Sequence, residues 1–120
     1  MPDIVSILEG HEIVLVQSSA DVSKTDMLKS RELIKRLSED HGISKVLIDT
    51  TNLLSLPNAF DLFEFVTSTS RVLRRIDKLA IVSSTATGED LKFIETVALH
   101  RGLHTRIVDS IPEAIAWLAE

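Results

Sequence analysis

Short apolar runs alternate along this chain with longer stretches in which apolar residues return every three or four positions. Residues 4–8 predict a strand, Glu9, Gly10 and His11 a turn, and residues 12–16 a second strand, so the chain opens with a hairpin. Residues 17–22 form a polar connection. From Ser23 the period changes. Met27, Leu28, Leu33, Ile34 and Leu37 fall on one side of a helix, while Lys29, Arg31, Lys35 and Arg36 lie mostly elsewhere. Gly42 ends that helix, since only glycine enters the left-handed region without strain.

Residues 45–49 are β formers with little polar alternation, as in a strand covered on both faces. Residues 50–57 read as a loop. A long helix is predicted from Ala59 to about Arg75, with Phe60, Phe63, Leu73 and either Val66 or Phe65 as core candidates. Residues 79–82 repeat the buried-strand pattern, and residues 83–87 are a polar loop. A helix over residues 88–100 stops near Gly102, residues 105–108 make the last strand, and residues 111–118 a helix with Ile115, Trp117 and Leu118 inward.

The helix starts share one signature. Ser23/Asp26, Asn58/Asp61, Thr87/Asp90 and Ser110/Glu113 each place a short polar residue three positions before an acid. The polar side chain can accept from a free N–H of the first turn, and the acid can reach back or sit against the positive helix end. The order is then β-β-α-β-α-β-α-β-α. It predicts an α/β fold: a mainly parallel five-stranded sheet with an N-terminal β-hairpin at one edge and four helices.

Composition narrows the function. With 120 residues, 1–120 is expected to be a single domain with a sizeable core. The absence of Cys removes disulfides, thiolate catalysis and Cys-based zinc sites. Met1, Pro2, Asp3 and Ile4 carry neither a basic run nor a long apolar stretch, so no signal peptide is expected. No apolar run approaches a membrane span, and a cytoplasmic location is the expectation. A net charge of −5, one Trp and no Tyr argue against nucleic acid as a partner.

The candidate chemistry sits on loops. In open α/β sheets ligands lie beyond the carboxyl ends of the parallel strands. Asp49, Thr50, Thr51, Ser55 and Asn58 occupy one such loop; Ser83, Ser84, Thr85 and Thr87 occupy another. Both lead into a helix N-terminus, where hydroxyls, amides and free N–H groups could hold a phosphate, a carboxylate or a partner's acidic side chain. The same residues also serve as ordinary turn formers and caps. The second loop lacks the Gly-x-x-x-x-Gly-Lys pattern of nucleotide triphosphatases. His100 and His104 have metal-pair spacing, but Gly102 between them breaks the shared helical face, so no metal and no cofactor is expected. Arg71, Arg74, Arg75 and Lys78 form a basic cluster that reads either as a patch for an anion or an acidic partner or, more simply, as a solvated complement to a helix C-terminal dipole. The run Thr67, Ser68, Thr69 and Ser70 is a weak helix former placed inside a helix. Phe60, Phe63 and Phe65 precede it and cannot all face one core, which marks this helix as an interaction surface or pocket wall.

Three stretches resemble a known family: Lys45-Val-Leu-Ile-Asp49, Arg74-Arg-Ile-Asp-Lys-Leu-Ala-Ile-Val82, and Gly102-Leu-His-Thr-Arg-Ile-Val-Asp109 running into Glu113-Ala-Ile-Ala-Trp-Leu118. They are similar to the SpoIIAA-like proteins grouped with STAS/SEC14-type domains. The element order is also that of the STAS fold of bacterial anti-sigma factor antagonists. The resemblance implies a non-enzymatic module that binds a partner or small ligand. In the antagonists a Ser just before a Gly, at the start of the helix after the central strand, is phosphorylated by a partner kinase. That position falls here near Asn58-Ala59, where no Ser-Gly pair exists.

The resulting expectation is a cytoplasmic STAS-like regulatory module that binds an unidentified protein partner through the second helix and the two loops. The alternative is a binder of an anionic or lipid-like small molecule, its head at the loops and its tail along Phe60 and Phe63. A homodimer through the hairpin or the second helix is compatible with either.

Overall fold

The computed structural model describes residues 3–21, 23–55, 59–83 and 88–120, with backbone alone at residues 53–55 and 59–63 among others. The strands are β1 (Asp3–Leu8), β2 (Ile13–Asp21), β3 (Lys45–Ser55), β4 (Lys78–Val82) and β5 (His104–Val108). The helices are α1 (Lys24–His41), α2 (Ala59–Val72), α3 (Gly88–His100) and α4 (Ile111–Leu118). The sheet is mixed, in the order β1-β2-β3-β4-β5: β1 pairs antiparallel with β2, and the other three pairings are parallel.

The side-chain alternation of the strands feeds two cores. On one face Val14, Val16, Val46 and Leu79 pack with Ile34 of α1, Ala98 of α3, and Leu73 and Ile76 from the turn after α2. On the other Ile13, Leu47, Ala80, Val82 and Val108 pack under Ala114, Trp117 and Leu118 of α4. Val46 and Leu47, neighbours in β3, are both fully buried on opposite faces.

The helix ends follow local chemistry. At α1 the Ser23 hydroxyl accepts from the Asp26 N–H at 3.1 Å, and the Asp26 carboxylate accepts from the Ser23 N–H at 3.1 Å. At α4 the Ser110 hydroxyl accepts from the Glu113 N–H at 3.3 Å. α1 closes on Gly42 at φ 65°, and the next N–H, of Ile43, donates to the Ser38 carbonyl at 3.1 Å. After α3, Gly102 at φ 86° and the Leu103 N–H on the Ala98 carbonyl do the same. In both cases the residue after Gly is buried, so the turn aims an apolar side chain into the core. The caps expected at Asn58 and Thr87 lie outside the described residues.

Several boundaries differ from expectation. β2 and β3 each continue past the predicted end, and residues 50–55 are strand rather than loop. The two extensions pair with each other, Ser19 with Asn52, Ala20 with Leu53 and Asp21 with Ser55. α2 stops at Val72 rather than near Arg75. Leu73 and Ile76 are both buried, and that inward pull turns the chain out of the helix. On α1, Leu28 and Leu33 are 36% and 41% exposed, while Ser30 and Ser38 are buried in their place.

Candidate binding site

Asp49 lies at a bulge. The pairing of Gln17 with Asp49 is followed by that of Ser19 with Asn52, so β3 carries one residue more than β2 over this stretch. A bulge frees a backbone N–H, and the Asp49 carboxylate takes it: it accepts from the Thr51 N–H at 3.0 Å and the Thr51 hydroxyl at 2.7 Å. Asp49 is buried and Thr51 exposed. The Thr50 hydroxyl crosses to the next strand and donates to the Val82 carbonyl at 2.6 Å. Ser83, buried, extends the β4–β5 pairing through its N–H on the Val108 carbonyl at 3.0 Å. Asp49, Thr50, Thr51 and Ser83 are thus brought together at the rim where β4 and β5 end and β2 and β3 run on. Their polar groups hold that rim in shape. The side chains of Ser55, Phe60 and Phe63, and all of Asn58, Ser84, Thr85 and Thr87, lie outside the described residues.

The seam between α1 and α2 holds a feature that the helical pattern conceals. Arg31, expected among the outward basic residues, is half-buried and faces α2. Its Nη1 donates to the Ser68 hydroxyl at 2.7 Å and the Thr69 hydroxyl at 3.2 Å, and its guanidinium stacks 5.5 Å from the Phe65 ring centroid. The Ser68 hydroxyl donates back to the Glu64 carbonyl at 2.9 Å, and Thr69 to the Phe65 carbonyl. The weak helix formers of α2 are therefore oriented acceptors for a cation. Nε of Arg31 is buried and, among the described residues, has no hydrogen-bond partner. Burial lowers the pKa of this guanidinium, with Glu32 opposing, yet an arginine remains charged throughout the physiological range. Arg31 was legible in one respect: it stands four residues after Met27 and three before Ile34, on the buried stripe itself.

Two open grooves lie at the opposite end from the rim, where the helices finish and the parallel strands begin. One, of about 480 Å³, runs between the C-terminal halves of α1 and α2. Its walls carry Lys35, Arg71, Arg74 and Arg75 with Glu32 and Glu39, over Val72, Leu73 and Ile76. The other, of about 530 Å³, lies under the hairpin and is lined by Glu9, His11, Glu12, His41 and apolar neighbours. Lys78, grouped in the sequence with the three arginines, leaves them: its Nζ donates to the Trp117 and Glu120 carbonyls at 3.1 and 2.9 Å and sits 5.0 Å over the Trp117 ring. His104 meets the same ring edge-on at 5.1 Å, on β5, while His100 ends α3. Among the described residues no group of three or more His, Asp or Glu could hold a metal ion. No helix of the described residues is long and apolar enough to cross a membrane.

A mixed five-stranded sheet, three helices on one face, one on the other and an opening hairpin make an α/β fold of the SpoIIAA-like kind. Comparison with solved structures agrees. An uncharacterised protein of the DUF3478 family from Shewanella loihica PV-4, described as having a SpoIIAA-like fold, is similar with a TM-score of 0.59 and 18% identity, over 97% of this chain and 91% of that one. The protein TM1081 gives a TM-score of 0.64 at 14% identity, over 97% of this chain and 87% of that one. The Bacillus cell fate determinant SpoIIAA in its phosphorylated form gives 0.58 at 11% identity, over 96% and 97%. These likenesses establish the fold. No family model matches the chain, and no curated protein does.

Proposed function

We propose that residues 1–120 form one STAS-like domain that acts as a non-enzymatic, regulatory protein-binding module in the cytoplasm. The observation that carries this reading is the state of the rim. Asp49, which stands where a general base would be sought, spends its carboxylate on Thr51 of its own strand, and Thr50 spends its hydroxyl on Val82. A rim so braced offers a fixed shape with exposed Thr51 on it, which suits recognition better than proton transfer. The likeness in fold to SpoIIAA, a cell fate determinant seen in a phosphorylated form, supports a regulatory role. The phosphorylated Ser of the antagonists falls near Asn58-Ala59 here, where no Ser-Gly pair exists, so this reading does not rest on that switch. In this reading Thr51, Ser55, Asn58, Ser84, Thr85 and Thr87, with Phe60 and Phe63 on α2, make the contact surface, and Asp49, Thr50 and Ser83 hold it in shape from beneath.

Native mass spectrometry of the protein purified from its own host tests this. The expected result is a complex with a second protein that Thr51→Arg, placed on the exposed rim, removes while the far-UV spectrum stays unchanged. A retained small molecule with no protein partner would replace this reading with that of a ligand carrier. Turnover of a metabolite by the purified chain would overturn it.

A further inference from the structure

The basic groove at the far end of α1 and α2 has no role in the rim reading, and its chemistry is specific. Four cations, Lys35, Arg71, Arg74 and Arg75, line about 480 Å³ of open space. All four are exposed. Among the described residues none of them makes a hydrogen bond or an ion pair. Arg31 stands one turn before Lys35 on the same side of α1, so the row of positive charge continues up the seam. This concentration occurs in a chain of net charge −5. The floor is apolar, with Val72 half-buried and Leu73 and Ile76 buried.

We infer that this groove binds an acidic segment of a partner protein, carboxylates toward Arg71 of α2 and toward Arg74 and Arg75 in the turn after it, and apolar side chains toward Val72 and Ile76. The inference deepens the binding-module reading and rests on it. Several features favour a peptide over other anions. Glu32 and Glu39 on the α1 wall would repel a free phosphate, while a peptide can turn neutral or basic groups toward them. An anionic membrane would meet a domain that is negative overall. Arginine is also the side chain suited to two-pronged capture of a carboxylate.

The test uses fluorescence polarisation with the full chain and a fluorescein-labelled octapeptide of Glu and Leu; a Lys and Leu octapeptide serves as the reversed-charge probe. At about 50 mM salt the acidic probe is expected to bind and the basic one not, with affinity falling steeply toward about 300 mM. Arg71→Glu with Arg75→Glu should weaken the acidic probe at least about tenfold. Arg36→Glu, exposed on α1 but outside the groove, should change it less than about twofold. Unchanged thermal unfolding by circular dichroism shows that both variants fold, as expected for exposed positions.

Equal losses in the two variants, or no binding of the acidic probe at low salt, would overturn the inference. So would binding to phosphatidylserine vesicles in preference to the peptide, or light scattering that shows a dimer dissociated by the groove variant. A host partner that survives Arg71→Glu with Arg75→Glu but is lost with Thr51→Arg would sink the groove and leave the module reading standing. Absence of any host partner would sink the module reading itself.

Discussion

At the residue scale, polar side chains here are engaged by the backbone, and that makes them testable. Ser23 and Asp26 form a reciprocal pair at the start of α1, so Ser23→Ala should cost about 1 kcal/mol of stability in urea unfolding. The pair also fixes a pH dependence. Hydrogen bonds from the Ser23 N–H and hydroxyl hold the Asp26 carboxyl below the usual carboxylate range. A carboxyl lowered in the folded state stabilises it above its unfolded value near about pH 4, and that contribution fades as pH falls through the lowered value. Stability measured from about pH 5 down to about pH 2 should therefore decline less in Asp26→Asn than in the parent. An equal decline would mean that other carboxyls carry the acid transition. Arg31 gives the opposite kind of prediction. Its Nε is buried and, among the described residues, has no partner, which offsets what its other hydrogen bonds contribute. Arg31→Met keeps the aliphatic stem and should stay within about 1 kcal/mol of the parent, while Arg31→Ala, which leaves a gap against Phe65, should lose about 1–2 kcal/mol. Equal losses in the two variants would show that the charge itself holds the seam. The caps at Ser23 and Ser110 were legible in the sequence because capping is a matter of neighbours three residues apart. The partners of Arg31 were not, since Ser68 and Thr69 lie 37 and 38 residues away.

At the scale of elements, the same divide between local and distant causes explains which boundaries could be read. Gly42 and Gly102 stop their helices by backbone conformation alone, and both ends fell where the pattern placed them. β3 ran past its predicted end because its partner, the extension of β2, has no local signal: Asn52, Leu53 and Ser55 become strand only by pairing with Ser19, Ala20 and Asp21. The polar residues that looked like a binding loop are in part bulge and ladder. The outer strand β5 shows a further device. An edge strand exposes free N–H groups that invite pairing with another chain. Here the Glu95 carboxylate of α3 accepts the Ile107 N–H at 3.2 Å and closes that position. Glu95→Ala should lower stability by about 1 kcal/mol and raise the rate of aggregation on mild heating, followed by light scattering. Glu95→Gln, which keeps an acceptor, should restore most of both. If Glu95→Ala aggregates no faster than the parent, the edge is protected by something other than this carboxylate.

At the scale of the whole molecule, the two cores share one sheet, and this decides how the domain comes apart. The α4 face is covered by a helix of eight residues, too short to persist undocked, so its order depends on Trp117 and Leu118 remaining seated. The other face has three helices and the larger apolar cluster. By its length alone α4 would release first. Two arrangements oppose that. Val46 and Leu47 lock adjacent positions of β3 into opposite cores, so a loss of order in either is felt by the same strand. Lys78 of β4 ties the end of α4 down through the Trp117 and Glu120 carbonyls. We therefore expect one cooperative transition. Trp117, the sole tryptophan, reports the α4 face, while far-UV circular dichroism is dominated by α1, α2 and α3. Ile34→Ala, in α1 on the far side of the sheet, should cost about 2–5 kcal/mol. It should shift the Trp117 fluorescence midpoint and the dichroism midpoint in urea by equal amounts. If the dichroism curve moves and the fluorescence curve stays, the faces are independent units. The rim would then stand on a sheet that loosens in halves, and a binding surface built from both strand ends and helix starts would need its partner to hold it together.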